Sequence, residues 1–287
     1  MRQLITPNIV ANEIMMRRQT FPGAFLLVEG CTDERLMRRL IDEVTCAIKE
    51  CLNRDFAMKV VALLDSAGFS GHLAIVDDDF GSALGEKIAS PNIVTTGIND
   101  VEVMIFDSDA FDRIVSEYAN PDKVRATEAS CGASLRQAIL IASRDLGALR
   151  YLSRLKGWNL KFHDMTIRFI DGTIQIDVFR QIQHLRGRSP NPSAMPSDSE
   201  VHEQIQKVHG TFSNPAQMVC GHDLCEVIAR GIRRVFGRAD VSLGDGGAAV
   251  AEVLRAAYTR ASFELTSLFG AITAWEKRNP GFKILPP

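Results

Sequence analysis

The first hundred residues alternate between short apolar runs and amphipathic stretches, and the runs stop at polar or acidic residues. Phe25-Leu26-Leu27-Val28 ends at Glu29-Gly30, and Leu73-Ala74-Ile75-Val76 ends at Asp77-Asp78-Asp79. An unbroken apolar run bounded by turn-forming residues predicts a strand buried on both faces. Residues 46–51 and 92–95 predict two further strands. Helical spacing lies between them. Leu36, Leu40, Ile41 and Val44 share one face over 35–44, with Thr32 as the cap. Ala57, Val60, Val61 and Leu64 do the same over 55–67. A short helix is expected to open at Asn99-Asp100 and run to Phe106. The order strand, helix, strand, helix, strand, strand implies a parallel sheet covered by helices. Ligands of such sheets sit beyond the carboxyl ends of the strands, where Glu29, Asp77, Asp79 and Glu102 fall.

The rest of the chain reads as mostly helical. A long helix is expected over 134–155, and others over 223–236, 248–258 and 261–277. Asp171-Gly172, between β-rich flanks, predicts a small hairpin within 162–178. The Pro-, Ser- and Arg-rich stretch 186–199 predicts a loop. The expected division is an α/β domain over 1–125 and a helical region over 126–287 packed on it.

Composition narrows the function classes. Apolar residues make up 46% of the 287 and charged ones 24%, enough for a packed core. A net charge of −2 argues against coating nucleic acid by bulk charge, while leaving room for a local basic groove. No apolar run reaches the length of a membrane span, and the N-terminal stretch does not read as a signal peptide. Six scattered cysteines suit reduced thiols, and a cytoplasmic location is expected. No phosphate-binding G-x-x-x-x-G-K-[ST] loop, dinucleotide fingerprint or G-x-S-x-G elbow occurs.

The acidic residues at two strand ends carry the chemistry. Alternate residues of an extended segment point the same way, so Asp77 and Asp79 can face one site. Carboxylates gathered from neighbouring strands repel one another unless one is protonated or a cation joins them. Hard oxygen donors suit Mg²⁺ or Mn²⁺, and such an ion with a carboxylate acid/base is what phosphodiester hydrolysis needs. Taken alone, either acidic turn is an ordinary turn; the conjunction at two strand ends favours a site. Asp100 and Glu102 read equally as additional or supporting ligands and as a helix N-terminus that favours negative charge. In Cys220-Gly221-His222-Asp223-Leu224-Cys225, Asp223 with Glu226 reads as a reciprocal helix cap in preference to a zinc site. Arg35, Arg38 and Arg39 on the first helix, and Arg230, Arg233, Arg234 and Arg238 later, are solvated faces taken singly and phosphate contacts if they flank the acidic site.

Leu27-Val28-Glu29-Gly30 with Thr32-Asp33, followed by Ile75-Val76-Asp77-Asp78-Asp79-Phe80, resembles the TOPRIM domain of topoisomerases, bacterial primases and several nucleases. More narrowly, the chain resembles a TOPRIM-like family of bacterial anti-phage defence proteins, to which the nuclease subunit of the PARIS system belongs. Asp100-Val101-Glu102, Gly221-His222-Asp223-Leu224 and a terminal helix ending near Trp275 extend the resemblance over nearly the whole chain. The resemblance implies that Glu29, Asp77 and Asp79 are the metal-binding and catalytic carboxylates, with Asp33 joining them and His222 reaching the same site. It implies Mg²⁺-dependent (or Mn²⁺-dependent) cleavage of nucleic acid, RNA or DNA, with tRNA as the suggested class. It also implies an ABC-type ATPase partner, and homo-oligomers are compatible with it. Two departures stand out: relatives often carry Lys where Cys31 stands, and Asp78 adds an acid inside the Asp-x-Asp motif. Both favour an alternative, a catalytically silent interaction or regulatory subunit. A phosphoesterase of small substrates is a third reading.

Overall fold

The computed structural model describes residues 5–212, 214–241, 243–244 and 246–287. In chain order the elements are α1 (Pro7–Arg17), β1 (Ala24–Val28), α2 (Cys31–Met37), β2 (Cys46–Glu50), α3 (Arg54–Ser66), β3 (His72–Val76), β4 (Ile93–Thr95), α4 (Val101–Phe106), α5 (Asp109–Tyr118), α6 (Pro121–Cys131), α7 (Leu135–Lys156), α8 (Val178–Arg188), α9 (Asp198–His209), α10 (Gly221–Gly231), α11 (Gly246–Ala257), α12 (Arg260–Glu264) and α13 (Ser267–Arg278). Two compact units emerge. The first holds the residues up to Val101 together with Tyr258–Pro287, and the second is Glu102–Ala257. This division differs from a break at 125/126. The last thirty residues return to the first unit, where Asp42 N–H donates to Ile284 O at 2.9 Å and the buried Trp275 Nε1 donates to Asn92 Oδ1 at 2.9 Å.

The first unit is the α/β part. Its four strands are all parallel, in the order β2-β1-β3-β4. The two central strands β1 and β3 are buried along their whole length, as their unbroken apolar runs require. Phe25, Leu27, Ala74 and Val76 face a core completed by Val10 and Ile14 of α1 and Val60, Val61 and Leu64 of α3. Adjacent residues of a strand face opposite ways, so Leu26, Val28, Leu73 and Ile75 are buried on the other side.

The second unit is helical and centres on α7, α8 and α9, with Leu149, Leu152, Ile182, Leu185, Val201 and Ile205 in its core. Gly147 of α7 lets the helix approach the Met218 carbonyl so closely that a Cβ would lie 1.5 Å from its oxygen.

Several boundaries depart from the sequence reading. Helix α2 starts from Gly30, not Thr32, and ends near Met37, leaving Val44 83% exposed instead of on a buried face. The Asp171-Gly172 reversal is present but has one antiparallel bridge, Phe169 to Ile176, in place of two strands. The stretch 186–199 is mostly built structure: α8 runs to Arg188, and Arg186 ties down the turn through Asp198 Oδ1 (2.9 Å) and the carbonyls of Met195 and Pro196. The helix expected over 261–277 breaks at Leu265, because Thr266 caps a new helix through Phe269 N–H.

The buried Asp223 does not cap α10. Cys220 is the cap residue, and Arg150 of α7 takes both Asp223 oxygens at 2.6 and 2.7 Å. The expected partner Glu226 instead accepts from Gly247 N–H at 2.6 Å. A fully desolvated carboxylate needs a cation more than it needs a helix N–H.

Candidate active site

The parallel register sets β1 against β3, with Leu27 opposite Ala74, so the two strands end at the same edge of the sheet. There the Glu29 carboxylate crosses to β3 and accepts the Asp77 N–H at 2.8 Å. Asp77 in turn accepts the Val101 N–H at 3.2 Å, at the start of α4. Asp33, one turn into α2, reaches back to Gly30 N–H at 3.0 Å, which is why that helix begins at the glycine. Asp79 and Phe80 both adopt left-handed backbone, at φ 48° and 63°. This conformation is costly for a bulky residue. It is held by the buried Asn99, whose carbonyl accepts Asp79 N–H at 3.1 Å and whose side chain accepts Phe80 N–H at 3.0 Å. Asp78 is turned into its own loop, where it accepts from Ser82 N–H and Oγ. The buried Asp100 accepts from Asn99 Nδ2 at 3.4 Å.

Electrostatics sets Glu29 apart. Burial pushes its carboxyl up to about 7, and the nearby charges of Asp79 and Asp33 add to the rise. The Asp77 N–H bond and the Arg54 charge oppose it without cancelling it. A carboxyl at this value is half protonated at neutral pH and can give or take a proton.

Arg54, the first residue of α3, is the cation of the cluster. Its Nη1 pairs with Glu86 at 2.9 Å, and its buried Nε has no partner among the described residues. Burial works against its charge, but the bond to Glu86 and the charges of Glu86, Asp79 and Glu29 outweigh that and hold its pKa raised. Arg54, Glu86 and Asn99 were not visible from sequence, since nothing in the Asn53-Arg54 cap or the loop after Phe80 distinguishes them from surface residues.

The site residues expected from sequence divide as follows. Glu29 meets Asp77 through the Asp77 N–H and feels the charges of Asp33 and Asp79, with Asp100 in the turn that follows Asn99. Glu102 belongs to the second unit and pairs with Arg255 at 3.1 Å. His222 also lies in the second unit and is exposed. On α2 and the turn after it, Arg38 is bound by Glu34 at 2.6 Å and by Glu43, Arg39 donates to Tyr258 O at 3.0 Å, and Arg35 is exposed. Hard carboxylate oxygens suit a Mg²⁺-like ion. Among the described residues, however, no three His, Cys, Asp or Glu are grouped so as to hold a metal ion.

Among the described residues no helix is long and apolar enough to cross a membrane. Compared with known proteins, the chain matches no family model, and no curated protein matches its sequence.

Proposed function

We propose that this chain is a TOPRIM-type nuclease that hydrolyses phosphodiester bonds of nucleic acid. The observation that carries the reading is Glu29, a carboxyl titrating at about 7 at the ends of two parallel strands, beside Asp79, Asp33 and Arg54. In the reaction, water adds to phosphorus and the bond to the leaving sugar oxygen breaks. Protonated Glu29 gives that oxygen its proton, and the emptied carboxylate takes one from the attacking water. Arg54 offsets charge on the phosphoryl oxygens, and its unpartnered Nε is a donor for one of them. The Asp77 N–H orients Glu29, and the strained Asp79-Phe80 turn sets the direction of Asp79. By resemblance the ion is Mg²⁺ or Mn²⁺, which would neutralise charge on the phosphoryl group; to hold it, Glu29, Asp77, Asp79 and Asp33 would have to draw closer than they stand in this fold. By resemblance, tRNA is the substrate class, an ABC-type ATPase the regulatory partner, anti-phage defence the role and the cytoplasm the location.

The test is cleavage of a panel of tRNA, other RNA, and single- and double-stranded DNA, with Mg²⁺ and then Mn²⁺, by wild type and Glu29→Gln. Cleavage by wild type that falls at least 100-fold in the folded variant supports the reading. Equal cleavage by both refutes Glu29 chemistry.

A second reading, a catalytically silent interaction subunit, is favoured by one arrangement: Arg54 already stands as cation among the carboxylates and is tied to Glu86. Calorimetry decides between the two. Mn²⁺ uptake lost in Asp79→Asn excludes the silent subunit, whereas no uptake and no cleavage of any polymer leaves it standing.

A further inference from the structure

The second unit carries a cationic surface that the acidic site does not use. Arg230 and Arg234 stand one turn apart, on α10 and on the π-helical turn Ile232–Phe236 that continues it. Arg230 lies over the Phe169 ring at 5.7 Å, so Arg168, the neighbour of Phe169, comes to the same place. The charges of Arg234, Arg168 and Arg233 all bear on Arg230, with Glu226 opposing them. Arg168 also bears on His184 together with Arg188, which extends the surface toward the end of α8.

Other arginines of the unit are neutralised locally: Arg180 by Asp177, Arg186 by Asp198 and Arg238 by Asp240. Among the described residues Arg168, Arg230 and Arg234 form no ion pair. A merely solvated face would also leave its donors in water. Here the Nε of Arg230 is buried and has no hydrogen-bond partner among the described residues, a condition that disfavours the site until an acceptor arrives.

We propose that Arg168, Arg230 and Arg234 hold consecutive phosphates of a nucleic-acid strand, with Phe169 keeping Arg230 in place. The identity of the polymer rests on the nucleic-acid reading above; the binding itself does not depend on cleavage. A guanidinium row that tracks a backbone is the usual electrostatic basis of sequence-independent strand binding.

The test is fluorescence anisotropy of a labelled 20-nucleotide oligouridylate with the full chain in EDTA, over a range of salt. Wild type is compared with Arg168→Gln/Arg234→Gln and with a control of equal charge loss, Arg180→Gln/Arg238→Gln; circular dichroism checks that all three are folded. All four positions are exposed, so folding should survive. Each phosphate contact on a single strand contributes about 0.7 to the slope of log affinity against log salt, so the first variant should lose about 1.4. Its affinity at moderate salt should fall about tenfold, while the control stays within twofold. Equal losses in the two variants, or no binding by wild type, overturn the proposal. A protein that binds through these arginines yet cleaves nothing sustains this inference and sinks the nuclease reading. One that cleaves while its binding ignores them does the reverse.

Discussion

Replacing Glu29 by Gln should stabilise the protein, and the gain should grow with pH. The half-buried carboxyl titrates at about 7 in the fold against an ordinary 4.5, chiefly because burial disfavours its charge. A group whose pKa is raised by folding adds stability below its unfolded value and loses that contribution as pH climbs through its folded value. The window therefore runs from about pH 4.5 to 7, and wild type is at its weakest above it. At about 1.4 kcal/mol per tenfold change in proton affinity, the full effect would be roughly 3 kcal/mol. Solvent contact of the carboxyl reduces this to about 1–2 kcal/mol. Gln keeps the acceptor for Asp77 N–H and never ionises. The variant should therefore match wild type near pH 5 and exceed it at pH 8, by roughly 2–6 °C in melting temperature. The two tryptophans make the assay local, since Trp275 lies in the first unit and Trp158 in the second. Urea and thermal unfolding, followed by Trp275 fluorescence in a Trp158→Phe background with EDTA, would report on the site's own unit. A Gln variant no more stable than its parent at pH 8, or equally stabilised at both pH values, would refute a strained, proton-seeking Glu29.

Three other outcomes follow from the packing. Asp223→Ala should cost about 3 kcal/mol, seen as a lower urea midpoint for the Trp158 signal, because it strands Arg150 where a carboxylate 4% exposed now meets it; an unchanged midpoint would refute that role. Gly147→Ala should destabilise by roughly 3 kcal/mol instead of giving the usual helix gain of about 1 kcal/mol, since its methyl would overlap the Met218 carbonyl; a raised melting temperature would contradict this. At pH 8, iodoacetamide should label the exposed Cys31 first, while burial keeps the Cys46 and Cys51 thiols at about 12 and unreactive until unfolding; mass spectrometry finding Cys46 modified as fast as Cys31 would contradict their burial.

Much of the α/β unit was legible in the chain because its signals are local. Two apolar runs bounded by turn residues and two further short segments became four parallel strands, and the spacing of Ala57, Val60, Val61 and Leu64 became the buried face of α3. The meeting of Glu29 with Asp77 could also be anticipated, since both residues end buried strands. Other features depended on partners distant in sequence. Asp223 read as a cap until Arg150, seventy-three positions earlier, was brought against it. Glu102 read equally as a ligand and as part of a helix N-terminus, and its pairing with Arg255, 153 positions later, could not be read from the chain. Arg54 and Glu86, thirty-two positions apart, carry no motif, yet their pairing places the resident cation of the acidic cluster. Hydrophobic periodicity and strand-end acids are written residue by residue, so the sequence alone determined the four strands, the buried face of α3 and the strand ends where Glu29 and Asp77 lie, whereas the packing of α1 on the sheet was decided only by the fold. Which buried charge meets which, and therefore which carboxyl keeps its proton, is set by desolvation and by neighbours that only the folded chain brings together.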